Sequence, residues 1–379
     1  MEEQDDTCST FDIEQLPASF KAFLKENDID PSVYTVANLP RYVRVNSQVK
    51  DKPTLEQLKE QLKTDDIEQV KELDGFFRIQ LNKTSLRISD MKAYKEHKLF
   101  GIDLSSAIAV QALDIHQNDQ VLDLCCAPGA KLCMITNIIG NDGVGTVTGV
   151  DLAAHRLATC RSLVKKYKVA AKVRLFEADG TTFEVPPPCR VGNKWIQAED
   201  DQPKTKKQRT EVVKPFYASK LLRLDDQIRG RLYDKVLVDA ECTHDGSIAH
   251  ILKYEKWGWD AFEKNFMDKN RLSTIAQLQR NLMKQGWNML KQGGVMVYST
   301  CSLSIRQNEE NVAWFLTHHQ DAVLEKVPDF GIKPAPIKHQ TVAQELQGKL
   351  ESFCLRFDPI YSGTSGFFLV RFRKSEECA

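Results

Sequence analysis

Two cysteines follow apolar runs at positions where a thiol could do chemistry. Cys242 ends the segment VLVDAEC, and Cys301 directly follows the segment VMVYST. Structural cysteines usually lie inside strands or helices, whereas these two lie just past their apolar runs. A thiolate can add to an electron-poor carbon and form a covalent intermediate. We therefore interpret Cys301 as a functional thiol that faces a cleft, and Asp239 adds an acid to the loop that carries Cys242.

A short loop with the sequence DLCCAPGAK, residues 123–131, links the apolar run QVL to the helical segment KLCMITNII. Gly129, with small Ala127 and Ala130 beside it, permits a tight turn that brings backbone N–H groups close to a ligand. The sequence contains no GxGxxG, and the loop lacks the GK[ST] ending of a phosphate-binding loop. A nucleoside without phosphates therefore fits this loop better than a pyrophosphate group.

Two acids end the next two apolar runs along the chain. Asp151 ends TVTGVD, where a carboxylate can accept hydrogen bonds from both ribose hydroxyls. Asp179 ends RLFEAD and could bind an adenine amino group. Either acid alone is more often a helix N-cap, but together with the loop they predict a site for S-adenosyl-L-methionine. The predicted contacts are Cys125, Cys126, Ala127, Pro128, Gly129, Ala130, Lys131, Asp151, Arg156, Asp179 and Asp239.

Short apolar strands alternate with helical segments from about residue 100 onwards. This alternation predicts an α/β fold with a doubly wound, mostly parallel sheet of the Rossmann-like type. In such sheets ligands bind beyond the carboxyl ends of the strands. The cofactor loop, the two acids and both cysteines are therefore expected at one edge of the sheet.

A smaller α/β unit precedes this sheet. RYVRVN and GFFRIQL are typical of strands, and TLEQLKEQLKTD has helical spacing. Residues 1–30 contain nine acids and two lysines, which predicts an acidic tail followed by a solvated helix over residues 11–27. The predicted layout is an acidic tail and helix at 1–35, a small extension at 36–95 and the main domain at 96–379.

A Pro- and Lys-rich stretch interrupts the alternation between about residues 186 and 231. It is too long for an ordinary connection, which predicts an insertion loop followed by a basic helix. Residues 190–231 contain eleven Lys or Arg and six Asp or Glu, with Lys204, Lys206, Lys207 and Arg209 clustered. We interpret the stretch as a solvated loop; a nucleic-acid contact or a nuclear import signal is the alternative.

Composition narrows the class of protein. The 379 residues are 42% hydrophobic and 27% charged, and 52 Lys plus Arg balance 52 Asp plus Glu. These values exclude a disordered or fibrous chain and argue against a uniformly basic surface that coats nucleic acid. The ten cysteines form no CxxC pair, and neither an apolar run of membrane-spanning length nor a signal-like start occurs. We expect a nuclear or cytoplasmic protein without disulfides, structural zinc or membrane contact, and monomeric by default.

These motifs resemble the RNA cytosine-5 methyltransferases of the RsmB and NSUN (NOL/SUN) family. The resemblance covers most of residues 40–373 and is carried by RYVRVN, KLFGIDLSSAIAVQALD, DLCCAPGAK, DAEC, VYSTCSLSIRQNEENVAWFL and RFDPIYSGTSGFF. Cysteines in both the DAEC and the STC loop form its most specific signature. The resemblance implies a class I methyltransferase fold whose small extension binds RNA. The candidate phosphate contacts in that extension are Arg41, Arg44, Lys50 and Lys52.

The resemblance also implies a mechanism. Cys301 would add to carbon 6 of cytosine, because carbon 5 becomes nucleophilic only after that addition. Asp239 would hydrogen-bond or protonate nitrogen 3, and Cys242 would assist product release. Lys131 would stabilise charge in the cleft or serve only at the helix start. The target cytosine must leave its stack, which implies a single-stranded or flipped base in transfer or ribosomal RNA.

Several positions depart from the family pattern, most of all around Cys242. The family usually has proline where Glu241 stands and SG where Thr243 and His244 stand. Negative charge at Glu241 could raise a thiol pKa; our preferred hypothesis is that Glu241 contacts the amino or nitrogen 3 edge of cytosine. The remaining departures are Cys126, Ala130, Leu132 and Ser365.

Two other functions are compatible with parts of the sequence. A noncatalytic RNA-binding or ribosome-assembly factor would explain the atypical DAEC loop, but it would not need Cys301, Cys242 and Asp239. A methyltransferase acting on DNA, protein or a small molecule would use the same cofactor loop, but it would not need paired thiols. RNA cytosine-5 methylation accounts for the largest set of these residues.

Overall fold

A computed structural model describes residues 11–36, 38–81, 86–196, 213–222 and 230–376. The described strands form a nine-stranded main sheet, a four-stranded small sheet and a two-stranded hairpin. The strands are β1 (Arg41–Val45), β2 (Ile67–Gln69), β3 (Phe76–Ile79), β4 (Leu99–Gly101), β5 (Gln120–Asp123), β6 (Thr146–Asp151), β7 (Val173–Glu177), β8 (Arg190–Val191), β9 (Lys194–Trp195), β10 (Tyr217–Ala218), β11 (Tyr233–Asp239), β12 (Leu290–Thr300), β13 (Ala322–Glu325), β14 (Leu355–Phe357) and β15 (Phe367–Lys374). The helices are α1 (Ala18–Glu26), α2 (Leu55–Leu62), α3 (Lys92–Lys95), α4 (Leu104–Gln111), α5 (Ala130–Ile139), α6 (Ala154–Lys166), α7 (Ile248–Ile251), α8 (Tyr254–Trp257), α9 (Trp259–Phe266), α10 (Lys269–Asn288), α11 (Glu309–His318) and α12 (Gln344–Phe353).

The main sheet is mostly parallel and doubly wound, which confirms the predicted fold class. Its strand order is β10-β7-β6-β5-β11-β12-β15-β13, with β14 paired to β15. The central strands from β7 to β12 run parallel, whereas β10 and β15 pair antiparallel with them. The chain leaves β5 first towards β7 and later resumes on the other side of β5 with β11. In sheets of this kind such a reversal opens a ligand crevice at the carboxyl edge.

Helices cover both faces of the main sheet because successive strand residues point to opposite faces. Val121 packs in one buried cluster with Leu132 of α5 and Leu157 of α6. Leu122, the next residue, packs in a second cluster with Leu282 of α10. All five residues are at most 4% exposed. The strands are therefore firm supports for the loops that leave their carboxyl ends.

The predicted small α/β unit contains a four-stranded antiparallel sheet with the order β2-β3-β1-β4. Strand β4 belongs to this sheet, so the unit extends to Gly101 rather than ending at residue 95. Arg44 lies between this unit and the main domain, where its Nη2 donates to Asn137 Oδ1 at 2.6 Å and only 6% of the residue is exposed. The prediction that Arg44 contacts phosphate is therefore wrong. The other candidate phosphate contacts are exposed: Arg41, Lys50 and Lys52.

Helix α1 is not the solvated helix that the acidic sequence around it predicts. Phe20 and Leu24 are fully buried, and Phe23 is 8% exposed. The ring of Phe20 meets the ring of Phe262 in α9 edge-on, with centroids 4.8 Å apart. The excess of acidic residues in this part of the sequence does not reveal the apolar face of α1. This face packs in a third buried cluster with residues of α7, α8 and α9.

The insertion is described only in part. The hairpin of β8 and β9 lies within it, and β10 pairs antiparallel with β7 at the edge of the main sheet. The predicted basic cluster at Lys204, Lys206, Lys207 and Arg209 lies outside the described residues. Residues 223–229 of the predicted basic helix and residues 1–10 of the acidic tail also lie outside them.

No helix within the described ranges combines the length and apolar character needed to cross a membrane. The nuclear or cytoplasmic location stays a prediction. The monomeric state and the assignment of the small unit to RNA binding also stay predictions.

A buried ion pair fastens β14 to helix α11. Arg356 Nη2 donates to both carboxylate oxygens of Glu309, at 2.7 and 2.6 Å, and the two side chains are 2% and 0% exposed. The substitution Arg356→Met leaves a buried carboxylate without its partner. We therefore expect the free energy of unfolding to fall by about 3–5 kcal/mol, as measured by urea unfolding.

The matched control for this pair is Arg306→Met. Arg306 pairs with Glu26 at 2.7 Å, but these side chains are 62% and 56% exposed. An exposed pair of this kind contributes less than about 1 kcal/mol. Equal losses of stability in the two variants would show that burial does not set the contribution of the Arg356 pair.

Candidate active site

Strands β11 and β12 lie side by side and parallel, and each is followed by one of the two predicted cysteines. Asp239, the last residue of β11, is in register with Ser299 of β12. Beyond these strand ends the Sγ atoms of Cys242 and Cys301 lie 3.3 Å apart. Cys242 is fully buried, whereas Cys301 is partly exposed. Of these two thiols, Cys301 is therefore the one open to a substrate.

A buried polar network holds the two cysteine loops together. Asp245 in the first loop accepts hydrogen bonds from the Ser302 hydroxyl at 2.8 Å and the Leu303 N–H at 2.7 Å. Gln307, beyond the second loop, accepts a hydrogen bond from the Thr243 N–H at 3.1 Å. Sequence reasoning assigned these side chains no role. The available signal was the presence of Thr243 and Asp245 close after the first cysteine and of Ser302 after the second.

The loop between β14 and β15, residues 358–366, packs against the loop that carries Cys242. The Gly246 N–H donates to the Cys301 carbonyl at 2.9 Å, and the Gly246 carbonyl accepts from the Gly366 N–H at 2.8 Å. A Cβ atom on Gly246 would lie 2.5 Å from the Gly366 carbonyl oxygen. Glycine is therefore required at this approach, and the SGTSG segment fixes the backbone next to the Cys301 thiol.

His244 connects the two thiols to a charged pair. Its Nδ1 atom lies 3.0 Å from Cys301 Sγ and 3.7 Å from Cys242 Sγ. These three atoms all lie within 4.8 Å of one another. On the other side of the ring, Nε2 lies 3.4 Å from Oε1 of Glu241. Sequence reasoning recorded His244 only as a departure from the family pattern; an imidazole two residues after a paired cysteine was the signal that it missed.

The two thiols differ in acidity. The hydrogen bond with Cys242, followed by the charge of His244, holds the pKa of the Cys301 thiol well below its usual range, although burial opposes this shift. Burial and then the hydrogen bond with Cys301 raise the pKa of Cys242 well above its usual range. Burial by itself would lower the pKa of His244, but Cys301 and Glu241 raise it to about 10. These shifts favour a Cys301 thiolate, a Cys242 thiol and a His244 imidazolium.

Glu241 is fixed by cationic groups of the protein itself. Its Oε1 accepts from Arg271 Nη2 at 2.7 Å, and the same Nη2 donates to the Cys242 carbonyl at 2.7 Å. Burial by itself would raise the pKa of Glu241, but His244 and Arg271 lower it to about 2. The expectation that Glu241 hinders thiolate formation is therefore wrong, because an imidazolium lies between it and Cys301. Oε1 of Glu241 is engaged by Arg271 and faces His244, and the contact of Glu241 with cytosine stays a prediction.

Lys131 joins the cofactor loop to the loop of Cys242. Its Nζ donates to Asp239 Oδ2 at 2.8 Å, while the Ser299 hydroxyl donates to Asp239 Oδ1 at 2.7 Å. Burial would lower the pKa of Lys131, but Asp239 raises it above its ordinary value, so the ammonium group keeps its charge. Besides its place in the first turn of α5, Lys131 thus forms an ion pair with the end of β11. Asp239 accepts hydrogen bonds from both neighbours, and its contact with nitrogen 3 of cytosine stays a prediction.

The predicted cofactor loop runs from the end of β5 to the start of α5. Gly129 has a φ of +109°, and a Cβ atom there would lie 3.2 Å from the Cα of Cys160 in α6. Both the backbone conformation and this close approach require glycine. In the rest of the loop, Pro128 is exposed, Cys125 and Ala130 are half-buried, and Cys126 and Ala127 are buried.

The Cys126 side chain supports this loop from inside. A Cβ atom on Gly149 of β6 would lie 2.8 Å from Cys126 Sγ, so the thiol fills the space that the glycine leaves. The Cys126 N–H donates to the Val150 carbonyl at 2.9 Å, and the Cys160 thiol lies 3.7 Å from the Cys126 carbonyl oxygen. The Cys126 side chain therefore lies inside the fold, where it packs against Gly149, and is not at the surface of the loop.

Asp151 ends β6 as predicted and is tied to the cofactor loop. Its Oδ1 accepts from the Ala153 N–H at 3.0 Å, and its Oδ2 lies 3.5 Å from Arg156 Nη1. Arg156 also donates to the Ala127 carbonyl at 3.0 Å. Leu152, which sequence reasoning missed, is 74% exposed. An exposed apolar side chain directly after this acid could cover a flat aromatic base.

Asp179 lies two residues beyond the end of β7 and shapes its own turn. Its Oδ1 accepts from the Thr181 N–H at 2.8 Å and from the Thr181 hydroxyl at 2.7 Å. The residue is exposed. Its contact with an adenine amino group stays a prediction.

Asp123, the last residue of β5, buries a carboxyl group whose two oxygens have no hydrogen-bond partner. Burial, with a further contribution from the Asp239 charge, raises the pKa of Asp123 to about 8. Burial and the charges of Asp123, Asp239 and Asp151 also raise the pKa of Cys125 well above its usual range. Three acids thus gather at one crevice. A cationic nucleoside with ribose hydroxyls would supply the missing donors and positive charge, and S-adenosyl-L-methionine has both features.

Comparisons with known proteins identify a family and a shared fold. The family model for "16S rRNA methyltransferase RsmB/F" matches residues 110–188 and 204–373. The probable ribosomal RNA small subunit methyltransferase B of Bacillus subtilis is 27% identical over 275 residues, which are 72% of this chain and 47% of that protein. The ribosomal RNA small subunit methyltransferase B of Yersinia enterocolitica is 27% identical over 241 residues, which are 64% of this chain and 43% of that protein. The chain thus spans less than half the length of these curated relatives.

Two solved structures share the fold. NSun6 from Pyrococcus horikoshii with SFG has a TM-score of 0.63 at 16% identity and covers 97% of this chain and 100% of its own. A methyltransferase homolog protein from Pyrococcus horikoshii has a TM-score of 0.61 at 21% identity, over 95% of this chain and 100% of its own. At these identities the likeness concerns the fold alone. Because the family match includes the cofactor loop and both cysteine loops, the chain belongs to the 16S rRNA methyltransferase RsmB/F family.

Proposed function

We propose that this protein transfers a methyl group from S-adenosyl-L-methionine to carbon 5 of cytosine in RNA. The observation that carries the proposal is the contact between Cys242 and Cys301, whose Sγ atoms lie 3.3 Å apart at the ends of adjacent strands. The partly exposed thiol of Cys301 can add to carbon 6 of cytosine, and the buried thiol of Cys242 beside it can assist release. Family membership and the names of the relatives support RNA methylation.

The first step is addition of the Cys301 thiolate to carbon 6 of cytosine. The sulfur lone pair forms the S–C6 bond, and the electrons of the C5–C6 double bond shift towards carbon 4 and nitrogen 3. Asp239 would hydrogen-bond or protonate nitrogen 3, where this electron density collects, and the positive charge of Lys131 beside Asp239 would stabilise it. The result is an enamine whose carbon 5 is nucleophilic.

The cofactor residues bind and orient the methyl donor. S-adenosyl-L-methionine supplies a methyl group on a sulfonium centre, which carbon 5 attacks. Asp151 would accept the ribose hydroxyls, the exposed Leu152 side chain would cover the adenine, and the unpartnered Asp123 carboxyl group would accept a donor of the bound nucleoside. The backbone turn at Gly129 brings the loop close to this ligand.

Product release reverses the addition. A base removes the proton on carbon 5, the C5–C6 double bond forms again, and Cys301 leaves as a thiolate. Cys242 remains a thiol, because burial raises its pKa well above the usual range. At 3.3 Å it can donate a hydrogen bond to the departing sulfur. We assign assistance in release to Cys242 on this basis.

The RNA would present an unstacked cytosine, because the reacting thiolate lies in a crevice. Arg41, Lys50 and Lys52 are exposed on the small unit and are the candidate phosphate contacts. The proposal covers transfer and ribosomal RNA, and the names of the curated relatives favour ribosomal RNA.

Substitution of Cys301 and substitution of Cys242 are expected to affect different steps of the reaction. Cys301→Ala removes the nucleophile, so 5-methylcytidine formation falls by more than about a thousandfold. Cys242→Ala keeps the nucleophile but slows release, so a protein–RNA adduct accumulates. The measurement is incubation with total RNA and methyl-labelled S-adenosyl-L-methionine, followed by nucleoside analysis and denaturing gel electrophoresis.

Cys354→Ala is the matched control for these variants, because Cys354 is a buried free cysteine in another cluster, 3% exposed. It is expected to keep full activity. Undiminished methylation by Cys301→Ala would contradict the proposed mechanism. If the wild type binds the cofactor but methylates no class of RNA, the result favours the alternative function, a noncatalytic RNA-binding or ribosome-assembly factor.

Cofactor binding is expected to depend on Asp151. Asp151→Ala removes a charged acceptor for the ribose hydroxyls, worth about 1.5–3 kcal/mol, so the Kd for S-adenosyl-L-methionine rises by roughly 10- to 150-fold. Isothermal titration calorimetry measures this change. Asp142→Ala, at an exposed loop residue before β6, is the control and leaves the Kd unchanged. An unchanged Kd in Asp151→Ala would remove Asp151 from the cofactor site.

A further inference from the structure

We infer that His244, oriented by Glu241, takes the proton of the Cys301 thiol and maintains the thiolate that attacks the substrate. Cys301 would thus work within a Cys–His–Glu arrangement. The inference rests on the proposed function only in treating Cys301 as the nucleophile. It adds His244 as a catalytic residue, since its ring touches the reacting sulfur, and Glu241 as a positioning residue.

The distances define the arrangement. His244 Nδ1 lies 3.0 Å from Cys301 Sγ and 3.7 Å from Cys242 Sγ, so the ring nitrogen favours the exposed thiol. Nε2 lies 3.4 Å from Glu241 Oε1, which fixes which nitrogen faces the carboxylate. Arg271 holds the same Oε1 at 2.7 Å. The edge of the His244 ring also meets the Phe266 ring, with centroids 5.9 Å apart.

The proton transfer balances within the site. The S–H bond of Cys301 breaks, its electron pair stays on sulfur, and the proton forms an N–H bond at His244 Nδ1. The Nε2 N–H points to the Glu241 carboxylate, which stabilises the imidazolium. The summed charge of Cys301, His244 and Glu241 stays the same, because the thiolate anion and the imidazolium cation form together. After the S–C6 bond breaks at the end of the reaction, the thiolate meets the same imidazolium again.

Electrostatics support this direction of transfer. The pKa of the Cys301 thiol lies well below its usual range, and that of His244 is raised to about 10. The thiolate therefore persists as pH falls below the ordinary thiol range, and the imidazolium is lost only above about pH 10. The other titratable or charged groups around the pair are Cys242, Asp245, Arg271, His250 and Lys131.

Glu241 and His244 are two of the three departures beside Cys242, the third being Thr243. The family pattern that the sequence resembles has proline at the position of Glu241 and glycine at that of His244. Neither of those residues can donate or accept a proton through a side chain. In the structure these two departures act on the same thiol: His244 contacts Cys301, and Glu241 faces the other side of the His244 ring.

The test is the pH dependence of Cys301 alkylation by iodoacetamide, measured on the full chain by mass spectrometry of the Cys301 peptide. The midpoint of the profile is used rather than the rate, because a thiolate of low pKa is intrinsically less nucleophilic. A chelator is present throughout, since thiols and imidazoles scavenge trace metal ions. In the wild type we expect the midpoint well below the ordinary thiol value of about 8.5.

In His244→Asn the midpoint is expected to rise towards the ordinary thiol value by at least about one pH unit, because the charge of His244 is lost while the hydrogen bond with Cys242 remains. Glu241→Gln keeps a hydrogen-bond partner for the ring but loses the charge, so a smaller upward shift is expected. His250→Asn is the matched control and is expected to leave the midpoint unchanged, because the His250 ring also meets Phe266 edge-on but burial lowers its pKa. His244→Gln replaces His244→Asn if the latter is unstable in thermal unfolding. A midpoint in both His244 variants within about half a pH unit of the wild type would overturn the inference.

Single-turnover methylation supplies the second readout. The wild-type rate is expected to be flat from about pH 6.5 to about pH 9, whereas the His244→Asn rate rises about tenfold per pH unit up to the ordinary thiol range. If the wild type methylates no RNA, the proposed function fails. The alkylation midpoint still decides the role of His244 in that case, because it requires neither RNA nor cofactor.

Discussion

The parallel pairing of β11 with β12 is the constraint on which the whole site depends. Neighbouring strands lie about 4.8 Å apart, and the register of Asp239 with Ser299 brings the residues just beyond both strands side by side. A slip of one residue would turn every side chain of β12 to the opposite face. The buried clusters on both faces of the sheet oppose such a slip. Two thiols from distant parts of the chain therefore meet at a fixed separation.

Charge in the crevice is arranged on two sides of these thiols. On the cofactor side, Lys131 and Asp239 form an ion pair that joins the cofactor loop to the loop of Cys242. On the other side, Arg271, Glu241 and His244 form a chain of alternating charge that ends at Cys301. The buried network around Asp245 fixes the backbone between the two sides. The Cys301 thiol thus owes its acidity to groups of the neighbouring loop, which carries Cys242 and His244.

Patterns along the chain were sufficient to predict the fold and the elements that carry the site. Alternating strands and helices predicted the sheet, and the rule that ligands bind at carboxyl strand ends placed Asp151, Asp239, Cys242 and Cys301 at one edge. The partnerships of side chains could not be read from the sequence. Arg44 looked like a surface cation, and α1 looked solvated, because their burial depends on elements far along the chain. His244 looked like a simple departure, because its significance comes from a thiol 57 residues later.

The central claim, that Cys301 attacks cytosine, is tested most directly with RNA in which 5-fluorocytidine replaces cytidine. Fluorine on carbon 5 cannot be removed as a proton, so a covalent adduct formed at carbon 6 cannot proceed to release. Digestion and mass spectrometry of the trapped complex then identify the protein atom that carries the nucleotide. We expect the nucleotide on the peptide that contains Cys301. Attachment to Cys242, or methylation of ordinary RNA without any adduct on the fluorinated RNA, would contradict the claim.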